Sequence, residues 1–122
     1  MKPGQTLIFL LVFITMAITV TTAATLIIIS NSQAASKLEQ SLTAYAVAES
    51  GAENALLRLL RDPAYAGETL TIGGGIATIS ATGSNPKVIL SKGAYRNFLR
   101  QVQVTANYVS GILTVTSWQE VF

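Results

Sequence analysis

The sequence predicts an α+β fold in which one long N-terminal helix packs, through its C-terminal half, on a small antiparallel sheet of four or five strands. Three observations predict it: residues 7–29 are apolar, a helical period continues to about Asp62, and a period of two follows. The 122 residues are 50% hydrophobic and only 11% charged, against about 25% charged in an ordinary soluble domain. Most of the apolar excess lies in the first quarter of the chain, so the remainder suffices for one small domain.

The segment Leu7–Ile29 has the length and composition of a membrane-spanning helix. It contains no charge and no proline, and it would span roughly 34 Å against a hydrocarbon core of about 30 Å. A cleaved secretory signal has an apolar core of about 7–15 residues, so a retained anchor is preferred, although Ser32-Gln33-Ala34 has the pattern of a cleavage site. Lys2 precedes the segment, which predicts a single pass with the N-terminus in the cytoplasm and the C-terminal domain outside.

Threonines within this segment need hydrogen-bond partners in lipid. Each hydroxyl can donate to a carbonyl one turn back, which satisfies it and tends to bend the helix. A sharper interpretation is that Ile18–Thr25, rich in β-branched residues, loses helical order when it leaves lipid for a protein assembly. The threonines are Thr15, Thr19, Thr21, Thr22 and Thr25.

From Ser30 the helical period continues with a polar composition, and one apolar stripe is predicted to carry the sheet. Gly51 costs about 1 kcal/mol relative to alanine within a helix, which predicts close packing against another backbone. Asp62-Pro63 ends the helix, whose length of about 85 Å exceeds what a small domain can cover. Lipid or partner copies must therefore cover the N-terminal half. The stripe consists of Leu38, Leu42, Tyr45, Ala52, Leu56 and Leu59, broadened by Ala48, Ala55 and Leu60.

After a linker at residues 63–67, the period of two predicts strands at Thr69–Ile72, Ile76–Thr82 and Lys87–Ser91. A final hairpin is predicted around Ser110-Gly111. An unbroken register would pair Tyr108 with Leu113, Ala106 with Val115 and Val104 with Ser117 on the face that covers the helix. It would pair Asn107 with Thr114 and Thr105 with Thr116 on the other face.

No pattern in the chain predicts an enzyme, a cofactor or a metal site. Cysteine and histidine are absent, which removes thiolate chemistry and the commonest general base. Gly73-Gly74-Gly75 lacks the lysine and hydroxyl of a phosphate-binding loop and predicts a turn. Because Glu49 and Glu53 are like charges four residues apart, at least one is predicted to pair with Arg96 or Arg100.

The basic residues of the sheet domain are few. They are Lys87, Lys92, Arg96 and Arg100, which would form a basic face on the domain. A solvated face is preferred over a DNA-uptake surface, because a net charge of +2 without a basic tract disfavours nucleic acid as a partner.

Three segments resemble one known family. Gly4, followed by Gln5-Thr6-Leu7-Ile8 and a long apolar run, resembles the class III signal of type IV prepilins. Residues 44–56, AYAVAESGAENAL, are similar to the YxAEAGxExAL segment of X-type minor pilins and of K-type pseudopilins of type II secretion. A weaker match joins Ile89–Gly93 to Arg100–Val104, similar to the SxG…RxVxV strand pair of small pilin domains. The chain thus resembles type IV pilin-like proteins.

The resemblance implies that a prepilin peptidase cuts after Gly4 and methylates Gln5. Residues 1–4 would be the leader, 5–29 the transmembrane and filament-core half of the helix, 30–62 its amphipathic half and 63–122 the sheet domain. The other implied partners are pilin-like subunits, an inner-membrane assembly platform and membrane lipid. The filament helix would use Leu7, Ile8, Phe9, Leu10, Leu11, Phe13 and Ile14, and the helix motif comprises Tyr45, Ala48, Glu49, Gly51 and Glu53.

One position departs from the family pattern. Most pilins carry glutamate at the fifth mature position, where this chain has Phe9. K-type pseudopilins share that absence and sit at the filament tip, so the resemblance favours a minor or tip-proximal subunit of a type IV pilus or a type II secretion-like pseudopilus. It would move from the cytoplasmic membrane into an extracellular or periplasmic filament. A major pilin or a DNA-uptake (competence) pilin is the alternative within the family.

Two alternatives lie outside the family. One is an uncleaved, signal-anchored domain that holds an extracytoplasmic ligand with its sheet. The other is a secreted soluble domain whose first residue lies near Ala35.

Overall fold

A computed structural model describes residues 2–122 of the chain. It confirms the α+β fold, with a long N-terminal helix and a sheet of five strands in the order β1-β2-β3-β4-β5, all neighbours antiparallel. The chain divides into two compact units, Met1–Lys37 and Leu38–Phe122. The elements are α1 (Pro3–Arg61), β1 (Gly67–Ile72), β2 (Gly75–Thr82), β3 (Lys87–Tyr95), β4 (Phe98–Val109) and β5 (Ile112–Val121).

Local sequence signals account for the bounds of α1. Pro3 occupies the first helical position, where its missing N–H costs no hydrogen bond. Arg58 and Arg61 lie in the last turn, where cations interact favourably with the helix dipole. The Asp62 N–H still donates to the Arg58 carbonyl (2.8 Å), and Pro63 follows. The predicted stop at Asp62-Pro63 is therefore confirmed.

Two of the hairpin turns of the sheet contain glycine. Gly73 and Gly74 join β1 to β2 with φ values of 54° and 79°, and Ser110 and Gly111 join β4 to β5 at 54° and 79°. Two-residue hairpin loops of type I′ need positive φ at both positions, and glycine adopts it without strain. The predicted turns are confirmed, while β1 and β3 are longer than the predicted strands because their pairing with β2 and β4 extends them.

Small residues line most of the seam between α1 and the sheet, and Leu59 is the one buried leucine of the helix. A Cβ added at Gly93 of β3 would contact the backbone at Ala44 and Ala48, with the Ala48 Cβ only 2.9 Å away. The helix backbone thus lies directly on β3, and larger side chains have no room there. The buried residues of α1 are Ala44, Val47, Ala48, Gly51, Ala52, Ala55 and Leu59.

This seam corrects the predicted stripe in part. Leu59 and the predicted alanines are buried as expected, but Leu38, Leu42 and Leu60 are exposed by 61%, 53% and 52%. Tyr45 and Leu56 are half-buried and pack against the edge of the core. The sheet contacts the small-residue side of the helix because the close backbone approach at Gly93 leaves no room for leucine beside Ala44 and Ala48.

A β-bulge in β5 corrects the predicted register of the last hairpin. The pairs Tyr108–Leu113, Ala106–Val115 and Asn107–Thr114 are confirmed, but Thr105 lies opposite Ser117 and Val104 opposite Trp118. Thr116 is the extra residue, and its hydroxyl donates to the Thr105 carbonyl (3.1 Å).

The bulge reverses which β5 side chains face the helix. In an unbroken register Glu120 would lie opposite Gln101, on the face away from the helix. In the structure Glu120 lies opposite the fully buried Val102, and so on the helix side of the sheet. One extra residue therefore brings a carboxylate to the face that carries the seam.

Candidate functional site

The apolar segment of the first unit has no cover within the molecule. No residue between Lys2 and Lys37 is buried, and Leu7, Phe9 and Phe13 are exposed by 67%, 67% and 71%. The predicted filament residues Ile8, Leu10, Leu11 and Ile14 are exposed by 63%, 53%, 65% and 46%. By length and composition, α1 is the one helix within residues 2–122 that could span a membrane.

The five threonines of this segment bond to their own helix. Each hydroxyl donates to the carbonyl four residues earlier at 2.8–2.9 Å. None of them therefore presents an unbonded donor to an apolar environment. The predicted return of these hydrogen bonds is confirmed, while the softening of Ile18–Thr25 stays a prediction.

The two residues assigned to processing lie in the first turn of α1. Gly4 is exposed, and a Cβ built on it has no heavy atom within 4 Å apart from its own local backbone. Gln5 is also exposed, and its N–H donates to the Lys2 carbonyl at 3.0 Å. Both residues are thus accessible at the surface.

The helix motif divides between the seam and its flank. Ala48 is fully buried and Gly51 is buried, whereas Tyr45 and Glu49 are half-buried and Glu53 is exposed. A Cβ at Gly51 would lie 2.5 Å from the Ser91 hydroxyl and 2.9 Å from the Ala77 Cβ. The predicted close packing is confirmed, but it is made against small side chains rather than against backbone. Alanine and glycine in this motif therefore serve helix–sheet contact.

Arg100 joins three elements of the second unit at one end of the seam. Its guanidinium pairs with Glu120 of β5 through two hydrogen bonds, one from Nη2 at 2.8 Å and one from Nε. Its Nη1 donates to the Ser41 hydroxyl of α1 (2.9 Å), and its central carbon lies 5.0 Å from the centroid of the Tyr45 ring. Bidentate pairing and ring contact fix a planar guanidinium in one orientation.

This arrangement replaces a predicted ion pair. Among residues 2–122, the salt bridges are Arg100–Glu120 and Arg58–Glu68, so the predicted pairing of Glu49 or Glu53 with Arg96 or Arg100 is wrong. The bulge supplies the reason, because it brings Glu120 within reach of Arg100.

The network shifts the acidity of its members. The hydrogen bonds donated by Arg100 hold the pKa of Glu120 below its ordinary value, and the same bonds raise the pKa of Arg100. A hydrogen bond with Glu49, assisted by desolvation, raises the pKa of Tyr45. At neutral pH Arg100 and Glu120 are therefore both charged, while the Tyr45 hydroxyl stays protonated.

A second polar cluster ties β1 to α1, and the sequence reasoning missed it. The Glu68 carboxylate accepts from the Tyr65 hydroxyl (2.9 Å) and from Asn54 Nδ2 (3.1 Å), and it pairs with Arg58 at 3.3 Å. Burial and the hydrogen bond to Glu68 raise the pKa of Tyr65 to about 12. The sequence feature that could have predicted this cluster is the four-residue spacing of Asn54 and Arg58, which places both side chains on one side of the helix.

The four basic residues of the sheet domain have different surroundings. Arg100 is engaged in the network on the helix side of the sheet, whereas Lys92 is exposed between the buried Ser91 and Gly93 and so lies on the opposite side. Arg96 lies in the turn between β3 and β4, with its guanidinium carbon 5.6 Å from the Tyr95 ring centroid. Lys87 begins β3 and is half-buried. The structure does not bring Lys92 and Arg100 together on one face.

Within residues 2–122, no group of three or more histidine, cysteine, aspartate or glutamate side chains is placed to hold a metal ion. The arrangement consists of an uncovered apolar helix and a sheet domain held by a small-residue seam and two polar clusters. Comparison with family models, with curated proteins and with solved structures finds no match to this chain.

Proposed function

We propose that this chain is a structural subunit, minor or tip-proximal, of a type IV pilus or a type II secretion-like pseudopilus. Before assembly it resides in the cytoplasmic membrane with the sheet domain outside, and a prepilin peptidase removes residues 1–4. Its partners are other pilin-like subunits and an inner-membrane assembly platform. The fold is compatible with a pilin, and the resemblance at Gly4–Ile8 and at residues 44–56 supports the assignment.

One contrast within α1 carries the proposal. Residues 38–61 include seven buried residues that pack on the sheet, whereas residues 2–37 include none. Fifteen large apolar side chains between Leu7 and Ile29 remain exposed. Covering such a side chain stabilises by about 1.5–3 kcal/mol, so their exposure in water would cost on the order of 20 kcal/mol or more. Lipid, and then neighbouring subunits, would provide that cover.

The second unit also leaves part of α1 uncovered. Leu38, Leu42, Leu57 and Leu60 lie outside the buried seam and are exposed by 61%, 53%, 62% and 52%. These leucines give the C-terminal half of the helix exposed apolar side chains of its own, which suits lateral contact with helices of neighbouring subunits.

The exchange of lipid for protein needs no catalysis by this chain. Removing the leader takes away Lys2, so the formal net charge of +2 becomes 2 − 1 = +1. Because lipid tails and a protein core are similarly apolar, close van der Waals packing must supply much of the preference for the assembled state. Phe9 offers no carboxylate to a neighbour's amine, which supports a minor or terminal position over a repeated one.

Mass spectrometry of the protein purified from its own cells tests processing. We expect a mature N-terminus at Gln5 carrying one methyl group, and retention of Met1 in a Gly4→Val variant. An intact Met1 in the wild-type protein would support the signal-anchored domain instead. A first residue near Ala35 would support the secreted domain.

Cysteine crosslinking tests assembly, because the natural chain contains no cysteine. We expect a Phe13→Cys variant to form crosslinked adducts with other subunits only in cells that possess the assembly ATPase. A Lys92→Cys variant, exposed on the sheet face away from the helix, is the matched control and should give few adducts. Equal crosslinking with and without the ATPase would contradict the proposal.

A further inference from the structure

A small pocket lies at the end of α1, beside the loop that joins β2 to β3. It has a volume of about 190 Å³, is open to solvent on one side, and is lined by Leu59, Pro63, Ser84, Lys87 and Tyr108. Leu59 is buried and supplies an apolar floor, while Lys87 and Tyr108 are half-buried. An apolar cavity of roughly 150 Å³ holds benzene, so this pocket has room for a six-membered ring with one small substituent.

Side-chain hydrogen bonds hold both walls of the pocket in place. In the β2–β3 loop, Asn85 donates from Nδ2 to the Tyr108 carbonyl (3.2 Å) and accepts from the Tyr108 N–H at Oδ1 (3.1 Å). Near Pro63, the Asp62 carboxylate accepts from the Ala64 N–H at 3.0 Å. The pocket is therefore preformed, as small-molecule sites usually are.

Lys87 gives the pocket its chemical preference. Within residues 2–122 its ammonium has no carboxylate within 4.0 Å, since the acidic partners of the salt bridges belong to Arg58 and Arg100. Lysine is rarely fully buried without a counter-charge, and Lys87 is half-buried without one in the described part of the chain. Ser84 and Tyr108, whose side chains carry hydroxyl donors, line the same pocket. A cationic residue and two hydroxyl-bearing residues beside an apolar floor suit an anion carried on an apolar body.

We propose that this pocket binds a small organic carboxylate, with Lys87 pairing with the carboxylate while Leu59 and Pro63 contact its apolar part. The binding does not depend on the filament role, because every lining residue belongs to the second unit. The end of α1 carries a partial negative charge that opposes an anion. The proposal requires the full charge of Lys87 to outweigh it.

Titration with benzoate tests the proposal on the full chain in detergent micelles. We expect saturable amide NMR shifts at Ser84, Lys87 and Tyr108, with a dissociation constant of about 1 mM, as suits a ligand this small. A Lys87→Gln variant should bind benzoate about fivefold more weakly, which is the upper range for one partly solvated charge pair. A Lys92→Gln variant makes the same charge change outside the pocket and should bind as the wild type does.

Neutral and inorganic probes complete the test. Benzyl alcohol should bind the wild type about fivefold more weakly than benzoate does, and the two should bind the Lys87→Gln variant equally. Equal binding of both by the wild type would overturn the role of Lys87. Inorganic phosphate matching benzoate would overturn the role of the apolar floor, and an absence of saturation by benzoate would overturn the site itself.

Discussion

Replacing Gly93 with alanine tests whether backbone contact at the seam holds α1 on the sheet. In a strand without such a contact, alanine should stabilise by roughly 0.5–1 kcal/mol relative to glycine. Here the added Cβ would contact the Ala44 carbonyl oxygen and the Ala48 nitrogen, and it would lie 2.9 Å from the Ala48 Cβ. Helix backbone cannot rotate away, so α1 itself must move.

The size of that movement sets the expected loss. Ordinary contact begins at 3.4 Å, so the least crowded of the three contacts alone requires 3.4 − 2.9 = 0.5 Å, and the two backbone contacts require more. A gap of about 0.5–1 Å forfeits a quarter to a half of each van der Waals attraction along the seam. Together with the usual cost of overpacking, this predicts a loss of about 3 kcal/mol in the free energy of unfolding.

Urea and thermal unfolding of the full chain in detergent micelles measure this loss. Trp118, the one tryptophan of the chain, lies in β5 and reports on the sheet domain by fluorescence. For a unit of this size, a loss of about 3 kcal/mol lowers Tm by about 12–24 °C. Lys92→Ala, next in sequence but on the open face, should change stability by less than about 0.5 kcal/mol. A Gly93→Ala variant as stable as the wild type would refute the reasoning.

Three further predictions concern the seam and its polar clusters. The Ser91 hydroxyl is buried without a hydrogen-bond partner, so Ser91→Ala should stabilise the protein by about 1 kcal/mol. Gly51→Ala alone should destabilise it, because the added Cβ would lie 2.5 Å from that hydroxyl. The loss should be smaller in the Ser91→Ala background, as a double-mutant cycle measured by urea unfolding would show. Because the pKa of Tyr65 is raised to about 12 from 10.0, the unfolded state ionises first, and stability should fall by about 2 kcal/mol as pH rises from 10 to 12. A Tyr65→Phe variant should lack that fall, and an unchanged pH profile would contradict the assignment. Arg100 lowers the pKa of Glu120, so the stability due to this pair is present above pH 4.5 and is lost as pH falls through the pKa of Glu120 in the folded state. When Tm is measured against pH, the wild type should show this loss at acidic pH and a Glu120→Gln variant should not.

The sequence by itself determined the local features of this fold. A charge-free apolar run predicted the first part of α1, Asp62-Pro63 predicted its end, and the turns at Gly73-Gly74 and Ser110-Gly111 are confirmed. Such signals act within a few residues, through backbone sterics and the period of apolar side chains. The first candidate functional feature, the uncovered helix, could be predicted for the same reason.

Only the tertiary structure decided which side of α1 meets the sheet and which side chains β5 turns toward it. Leucine has the greater apolar area, yet the close approach at Gly93 leaves room only for small residues beside it, and most of the buried residues of α1 are alanine or glycine. The bulge at Thr116 then places Glu120 beside Arg100, a contact between residues 20 positions apart. A bulge adds one residue to a strand and so moves every later side chain of that strand to the other face of the sheet. The register is therefore selected by contacts between residues distant in sequence, which local sequence signals do not contain.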